Sequence, residues 1–571
     1  MNETTATKPG IAQVLRAMGQ RKTGFMALFG FASGLPFALF LGTLYAWLSE
    51  AEVELETMGV FSLIGLAYAF QFLWSPLIDK VDLPFFQRLG RRKQWMVPAQ
   101  ILLGAILVAM SALEPKSQLG WFSLLAGIGA FASATQDIAI NAWRIDVADE
   151  KATIDILSTV YQMGFRLASL VGGAFGLIIA ARIGWPETYL LMGAILLAIG
   201  FVGLFAPDAD AGSDDLRTAN DAQIVGLRKA GELRPEVRAR ALGVVALLWA
   251  GAVGTVLTFM ILSLTNAPED RPNPTDFTLT WGPVIIIATV VIPALIAGWL
   301  AGQQRDGRNL LEADASPTAA GGFVMDHLYR ALLLPLVEFV GRMGWSLVLI
   351  LALVLTYRIC DAIWGTFAYP FYLGELEYTN DEVAFASKFF GVGAIIAGLA
   401  LGGYMLTVIG RMFTLTLGAL LAALTNLLYA DLAVGGANMQ AASDAIGFTA
   451  LIVQVPVIGS PELAKLTFTI MFENLAIGIA GAAYIAWLSS IVSKQYSAVQ
   501  FALLSSLTLL VGTLGRGALG EMIENQGYFE VFVLTTLIGL VAVALCLAEW
   551  YREARSRGRA GVIAPEPAPA E

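Results

Sequence analysis

Residues 23–49 read TGFMALFGFASGLPFALFLGTLYAWLS, an apolar run without a charged side chain. An α-helix rises about 1.5 Å per residue, so a run of this length can cross the roughly 30 Å of hydrocarbon in a bilayer. The preceding residues are polar, with Lys8, Arg16, Arg21 and Lys22, and the run is too long for the core of a cleavable signal. It is predicted to be an uncleaved first membrane span.

Apolar runs of similar length recur along the whole chain of 571 residues. Fourteen are found, and the predicted spans are 23–49, 57–78, 95–114, 120–146, 154–181, 187–206, 241–264, 281–301, 345–373, 383–408, 412–433, 465–492, 498–520 and 529–550. The composition agrees, with 57% hydrophobic residues, 14% charged residues and a mean hydropathy of +0.70, whereas a soluble domain is about one-quarter charged. These features predict an all-α polytopic membrane protein and exclude a soluble globule.

The charged and metal-binding residue types exclude several functions. The net charge is −10 and the Lys and Arg residues are scattered among the loops, so no nucleic-acid-binding face is predicted. Cysteine and histidine are limited to Cys360, Cys546 and His327, which predicts no metal site and no cofactor. A polytopic membrane transferase is the alternative from the enzyme class, but the sequence around His327 has no catalytic cluster. We therefore predict a protein that is not an enzyme.

The distribution of Lys and Arg orients the chain, because short cytoplasmic loops are rich in both. Basic residues collect at 80–93, 217–240 and 552–559, whereas the opposite loops carry acids such as Glu50 and Glu375. Both termini are therefore predicted to be cytoplasmic, which an even number of spans also requires.

A two-span hairpin at 241–301 separates two halves of similar design. Removing it leaves six spans on each side, the 6+6 arrangement of major facilitator transporters. The predicted domains are a cytoplasmic N-terminus at 1–22, an N-terminal six-helix bundle at 23–206, linkers with the inserted hairpin at 207–344, a C-terminal six-helix bundle at 345–550 and a cytoplasmic tail at 551–571.

A charged loop between the second and third predicted spans supports this arrangement. DK at 79–80 is followed by GRRK at 90–93, and GR at 410–411 stands at the equivalent place in the second half. These residues resemble the G-x-x-x-D-R-x-G-R loop of the superfamily, although Ser75 replaces the first Gly and Thr407 replaces the Asp of the second copy. Ordinary positive-inside loop charge is the alternative explanation. The predicted gating residues are Asp79, Arg91, Arg92 and Arg411.

Ionisable side chains inside the spans are candidates for function, because a charge at mid-bilayer is costly unless it meets water or a partner. Asp137, Asn141 and Arg144 share one helix face, while Arg144 and Asp146 lie near the span end and are predicted only to anchor the helix or to latch against a loop. Arg166 is predicted to pair with Asp137. The predicted proton-coupling candidates are Asp137, Asp361 and Glu473. The predicted substrate-binding residues are Tyr45, Gln136, Asp137, Asn141, Tyr161, Gln162, Arg166, Arg358, Lys388 and Asn474.

Specific strings in both halves resemble one family of transporters. They are FGFASGLP at 29–36, FLWSPL at 72–77, SATQDI at 133–138, FENL at 472–475 and QFALLS at 500–505. In this order they resemble the AmpG muropeptide permeases of Gram-negative inner membranes.

The resemblance implies a proton-driven importer that carries GlcNAc-1,6-anhydro-MurNAc and its peptides from periplasm to cytoplasm, for cell-wall recycling and β-lactamase induction. It also implies that transport depends on Asp137. Asn141 departs from the family, whose members have a second Asp there, so coupling would fall to Asp137, Asp361 or Glu473. Acetyl-CoA is the alternative substrate, because the resemblance extends to a peptide and acetyl-CoA transporter group. The predicted partners are muropeptide, protons and membrane lipid, with the protein acting as a monomer.

Overall fold

The computed structural model describes residues 16–53, 61, 63–208, 218, 222–229, 231–266, 270–311, 321–359 and 367–562. Within these ranges every regular element is a helix, and the β-type pairing is limited to one antiparallel bridge between Leu233 and Leu310. The prediction of an all-α membrane protein is confirmed. The chain divides into two compact units, Met1–Gly344 with Leu488–Leu514 and Trp345–Trp487 with Gly515–Glu571.

Long helices joined by short turns build the first unit. Its helices are Arg21–Glu50, Leu63–Ala69, Ser75–Lys80, Lys93–Ser111, Leu119–Asp146, Ile154–Ile183, Trp185–Gly203, Pro235–Thr265, Pro274–Ile286, Ile292–Arg305, Gly321–Leu332 and Leu334–Met343. The helices Arg21–Glu50 and Ile154–Ile183 each continue through a π-helical turn, at Leu39–Thr43 and Val171–Phe175. These two helices and Leu119–Asp146 carry the polar groups described below.

The described elements of the second unit are also helices. Its helices are Ser346–Thr356, Pro370–Glu375, Asn380–Val408, Arg411–Ala433, Ala437–Ala445, Phe448–Ile452, Pro461–Ile491, Ser497–Gln526 and Tyr528–Val562. The segment Leu488–Leu514 belongs to the first unit although it lies in the second half of the sequence. The helices Pro461–Ile491 and Ser497–Gln526 therefore each have residues in both units. The six-helix boundaries proposed from the sequence stay a prediction.

The described helices include eleven that are long and apolar enough to span a membrane. The number is twelve if Leu334–Met343 and Ser346–Thr356, which are bent by 105° relative to each other, form one broken span. The predicted count of fourteen is therefore not confirmed.

Three predicted spans are not among the eleven. The predicted span 498–520 lies in the continuous helix Ser497–Gln526. The predicted span 57–78 is divided into Leu63–Ala69 and Ser75–Lys80 by a 3₁₀ turn at Gln71–Leu73, and neither helix alone can cross a bilayer. The predicted span 345–373 includes residues outside the described ranges. Hydropathy counts apolar residues, but it does not register such a break in the helix.

Gly30 and Gly34 bring the first long helix against the helix that carries Tyr161. A Cβ atom built on Gly30 would collide with the carbonyl oxygen of Tyr161, and one built on Gly34 would collide with that of Phe165. Helix backbones approach this closely only where small residues line the contact. The contact holds Ser33, which lies between the two glycines in sequence, beside the Tyr161 hydroxyl.

The hairpin helices pack into the core of the first unit. Val245, Trp249 and Phe259 belong to the same buried apolar cluster as Phe72. The Trp249 ring meets the Phe72 ring edge-on, with centroids 6.3 Å apart, and its indole N–H donates to the Thr289 carbonyl at 3.2 Å. The inserted hairpin is thus an integrated part of this unit.

Trp249→Leu is expected to lower the free energy of unfolding by about 2 kcal/mol, because it removes buried volume and leaves the Thr289 carbonyl without its donor. Thermal unfolding of the detergent-purified protein measures the effect. Leu247→Ala is the matched control, since Leu247 lies two residues away on the same helix and is 73% exposed. An unchanged midpoint for the Trp249 variant would show that the hairpin is only loosely attached.

Candidate functional site

Three helices of the first unit converge on the carboxylate of Asp137. Ser33, from Arg21–Glu50, donates to Asp137 Oδ1 at 2.6 Å, and Tyr161, from Ile154–Ile183, donates to the same oxygen at 2.7 Å. The two hydroxyl oxygens are 3.0 Å apart. A carboxylate inside an apolar bundle needs such donors, because burying an ionised group without hydrogen bonds is very costly. Asp137 and Tyr161, both predicted from the sequence, are therefore in direct contact.

Ser33 is not among the residues predicted from the sequence. A hydroxyl flanked by Gly30 and Gly34 was the available signal. Close helix packing turns such a residue toward the neighbouring helix, and here it is 3% exposed.

The predicted amide side chains near Asp137 are largely engaged with backbone. Gln136 is buried and its Nε2 donates to the Ala32 carbonyl at 2.7 Å, while its Oε1 has no hydrogen-bond partner among the described residues. Asn141 donates from Nδ2 to the Asp137 carbonyl of its own helix at 2.8 Å. Gln162 is buried on the helix that carries Tyr161. Of these amides, Gln136 joins its helix to Arg21–Glu50 beside the carboxylate.

Two further predicted residues of this unit lie on the same helices. Tyr45 is half-buried near the end of Arg21–Glu50, and Arg166 is half-buried on Ile154–Ile183. The predicted pairing of Arg166 with Asp137 stays a prediction, and the hydroxyls of Ser33 and Tyr161 are the donors described for this carboxylate.

Four charged residues form a buried cluster at one end of the first unit, which we call the ion-pair latch: Asp79, Arg91, Arg92 and Asp146. Arg92 donates from Nε to Asp146 at 2.6 Å, and its Nη1 lies 2.8 Å from Asp79. Arg91 reaches the same two acids at 3.3 Å and 3.8 Å. The side chain of Asp79 is 0% exposed and that of Arg92 is 1% exposed. Two cations thus compensate two acids inside the protein.

The latch holds the start of the helix Ser497–Gln526. Asp79 accepts from the backbone N–H groups of Val499 at 2.9 Å and Ala498 at 3.4 Å. The Ser497 hydroxyl donates to Asp146 at 2.8 Å and accepts from Arg92 at 2.8 Å. The first N–H groups of a helix have no partners within it and carry positive partial charge, so a carboxylate is stabilised there. A segment more than 400 residues later in sequence is thereby fastened to the loop.

The environment of Asp79 determines its charge. Burial by itself would raise the pKa of this carboxyl, but Arg92, Arg91 and the Val499 N–H outweigh burial and hold the pKa below its ordinary value. These contacts of Asp79 contribute fully to folding stability above the ordinary carboxyl pKa of about 4. Their contribution is lost only as the pH falls through the lowered pKa. Asp79 therefore stays ionised near neutral pH.

Arg411, the remaining predicted gating residue, belongs to the second unit. It is the first residue of the helix Arg411–Ala433 and is half-buried. Gly410 before it has φ of 125°, a backbone conformation that a glycine adopts without strain and that turns the chain into the helix.

Glu473 in the second unit is bound to a chain of tyrosines. Tyr429 donates to the Glu473 carboxylate, and the hydroxyls of Tyr429 and Tyr372 are 2.8 Å apart. Asn474 donates from Nδ2 to the Ile470 carbonyl of its own helix at 2.9 Å. Glu473 thus resembles Asp137 in being a membrane carboxylate that receives a phenolic hydroxyl.

The remaining predicted residues of the second unit lie on other elements than Glu473 and Asn474 or outside the described residues. Lys388 is exposed in the π-helical segment Phe385–Gly391, and Arg358 is half-buried after Ser346–Thr356. Asp361 lies outside the described residues.

Known transporters match this chain in sequence and in fold. A family model described as acetyl-coenzyme A transporter 1 matches residues 25–119. The solved structure of the major facilitator proton:xylose symporter XylE, bound to 6-bromo-6-deoxy-D-glucose, superposes with a TM-score of 0.52 at 10% identity, covering 94% of this chain and 96% of that one. The chain therefore has the major facilitator fold. The matching family model is that of a transporter and the sequence relatives are named permeases or transporters, so the prediction that the chain is not an enzyme is confirmed.

Relatives that match over most of the sequence belong to a narrower group of proteins. The anhydromuropeptide permease of Escherichia coli (strain K12) is 28% identical over 542 residues, which cover 94% of this chain and 82% of that protein. The putative transporter AmpG 4 of Rickettsia conorii (strain ATCC VR-613 / Malish 7) is 25% identical over 522 residues, covering 91% of this chain and 94% of that protein. The resemblance to AmpG permeases seen in the sequence strings is thus confirmed over nearly the whole chain.

Proposed function

We propose that this transporter imports anhydro-muropeptides, namely GlcNAc-1,6-anhydro-MurNAc and its peptides, from periplasm to cytoplasm by proton-coupled alternating access. It is then a monomeric, multi-pass protein of the bacterial inner membrane with both termini cytoplasmic. The imported fragments serve cell-wall recycling and β-lactamase induction. The observation that carries the proposal is the Asp137 cluster, in a chain similar to the anhydromuropeptide permease of E. coli over 94% of its length.

Asp137 suits proton carriage because it can keep hydrogen bonds in both protonation states. The ionised carboxylate accepts from Ser33 and Tyr161, and the protonated acid can donate to a hydroxyl oxygen instead. Protonation removes a charge from the membrane interior, where a charge is costly. Binding one proton therefore shifts the balance between states that solvate Asp137 differently.

The ion-pair latch supplies the gate in this proposal. Alternating access requires contacts that hold one side of the transporter closed and then release. Asp79 and Arg92 bind the start of Ser497–Gln526 through side-chain and backbone groups, so opening must break several buried polar contacts together. Because Asp79 stays ionised near neutral pH, the latch opens in response to events elsewhere, such as a change at Asp137.

The second unit contributes further groups in the proposed mechanism. Glu473 and Asp361 are additional proton-coupling candidates, and Glu473 already receives the Tyr429 hydroxyl. A disaccharide peptide is rich in hydroxyl, amide and carboxylate groups, which suits a path lined by polar side chains. The proposed substrate-contacting residues are Tyr45, Gln136, Asp137, Asn141, Tyr161, Gln162, Arg166, Arg358, Lys388 and Asn474.

The test of the proposal is uptake of labelled GlcNAc-1,6-anhydro-MurNAc-tripeptide by proteoliposomes. An inward proton gradient is expected to concentrate the labelled tripeptide inside the proteoliposomes above its external concentration. A protonophore is expected to abolish this accumulation. Uptake that does not depend on the proton gradient would refute proton coupling but would still be consistent with facilitated transport. Absence of any protein-dependent uptake would refute the substrate assignment.

Acetyl-CoA is the second candidate substrate, favoured by the match of residues 25–119 to the acetyl-coenzyme A transporter 1 model. A competition experiment distinguishes acetyl-CoA from the anhydro-muropeptide as the substrate. Excess unlabelled disaccharide is expected to block uptake of the labelled tripeptide, and excess acetyl-CoA is expected to leave it unchanged. Inhibition by acetyl-CoA alone would favour the second candidate.

A further inference from the structure

Arg144 is a buried cation that the proposed mechanism does not yet use. Its side chain is 0% exposed, and its guanidinium carbon lies 4.9 Å from the ring centre of Tyr161 and 5.0 Å from that of Phe501. Its Nη2 donates to the Ser489 hydroxyl at 2.9 Å. Tyr161 therefore lies between two charges, with its hydroxyl on Asp137 and its ring against Arg144.

The donors of Arg144 are not all satisfied. Its Nε and Nη1 find no hydrogen-bond partner in the part of the chain that the structure describes. The acids of its own helix are engaged elsewhere, because Asp137 accepts from two hydroxyls and Asp146 belongs to the ion-pair latch. Buried polar atoms are nearly always hydrogen-bonded and buried charges are nearly always paired. A buried guanidinium with free donors is therefore prepared for an anion that is absent from the chain itself.

We propose that Arg144 binds a carboxylate of the transported molecule and thereby selects anionic over neutral ligands. This inference rests on the proposed function, whose substrates carry a lactyl or peptide carboxylate. Asp137 and Arg144 lie on one helix face at i and i+7, about 10 Å apart along the axis, so one elongated ligand can reach both. An ionised acceptor binds a guanidinium more strongly than a hydroxyl does, so the carboxylate displaces Ser489.

The position of Arg144 links ligand binding to the latch. Ser489 and Phe501, which cover the guanidinium, belong to the same segment, Leu488–Leu514, whose Ser497 is held by the latch. A carboxylate that displaces Ser489 removes one contact between this segment and Leu119–Asp146. Substrate charge thus favours release of the segment.

Binding of two matched probes to the purified full-length protein tests the inference. The first is GlcNAc-1,6-anhydro-MurNAc, whose single carboxylate is the lactyl group, and the second is its lactyl amide. Wild-type protein is expected to bind the acid about tenfold more tightly than the amide, the usual effect of one charge-assisted hydrogen-bonded contact. Arg144→Gln is expected to weaken acid binding by about tenfold and to leave amide binding within about twofold. Arg144→Lys is expected to keep part of the preference.

The ratio of acid to amide affinity separates selection from a structural role. Arg238→Gln is the control, since Arg238 is also buried but pairs with Asp326 at 2.8 Å in the hairpin region, and it is expected to keep the wild-type ratio. An Arg144→Gln variant that weakens both probes equally, or neither, would overturn the inference. Equal wild-type affinities for acid and amide would overturn it even if the variant does not fold. Wild-type protein that binds neither probe would refute the proposed function itself and this inference with it.

Discussion

Asp137→Asn is expected to abolish gradient-driven uptake while the protein still folds. The amide has the shape of the carboxyl, and its oxygen can still accept from Ser33 and Tyr161, so the three-helix contact persists. It cannot bind or release a proton, so the free energy of the pH gradient no longer acts on the transport cycle. Uptake by proteoliposomes under an inward pH gradient is expected to fall to the level of empty liposomes.

A second measurement separates coupling from binding. Asparagine imitates the neutral, protonated acid, so exchange of labelled for unlabelled substrate at equal pH is expected to persist in the variant. Asp149→Asn is the control, because Asp149 pairs with Lys22 at a partly exposed site and is expected to leave uptake unchanged. Wild-type accumulation by the Asp137 variant would remove this residue from the coupling mechanism.

Arg92→Met is expected to destabilise the protein more than any other substitution in the ion-pair latch. The guanidinium donates to Asp146, Ile78 and Ser497 and lies 2.8 Å from Asp79. Methionine leaves Asp79 and Asp146 buried with Arg91 as their remaining latch cation. Removing one partner of a buried pair costs about 3–5 kcal/mol, and thermal unfolding in detergent measures it. Uptake is expected to be lost as well, because the start of Ser497–Gln526 is no longer held.

An exposed ion pair provides the comparison for this variant. Lys116 and Glu52 are 2.8 Å apart with side chains 59% and 81% exposed. Lys116→Met is expected to leave the unfolding midpoint unchanged, since water and salt already screen such a pair. If Arg92→Met proves as stable as Lys116→Met, the latch does not stabilise the packing of the start of Ser497–Gln526.

Asp137 illustrates what could be predicted from the sequence. A charged residue in an otherwise apolar run is conspicuous because its transfer into hydrocarbon is unfavourable wherever it lies in the fold. The same reasoning identified Glu473. Tyr161 followed from its place in the next span, although nothing in the sequence indicated that its hydroxyl would meet Asp137.

Arg144 illustrates what could not be predicted. Its place near the span end predicted a helix anchor or a latch against a loop, and the same was predicted for Asp146. In the structure Asp146 joins the ion-pair latch, whereas Arg144 lies between two aromatic rings with free donors. The difference depends on Phe501 and Ser489, which are more than 300 residues away in the chain.

The amino-acid sequence alone was enough to predict an all-helical membrane protein, to locate the charges within its apolar runs, and to detect its family resemblance. The first two follow from composition and order, because the free energy of placing a side chain in hydrocarbon is a local property. The third follows from the strings that the chain shares with the family. The tertiary structure alone decided that the run 57–78 is broken, that the hairpin packs into the core, and which group satisfies each charge. A hydrogen bond requires atoms within about 3 Å. Ser33 and Asp137, or Asp79 and Val499, reach that distance only when helices far apart in sequence pack together.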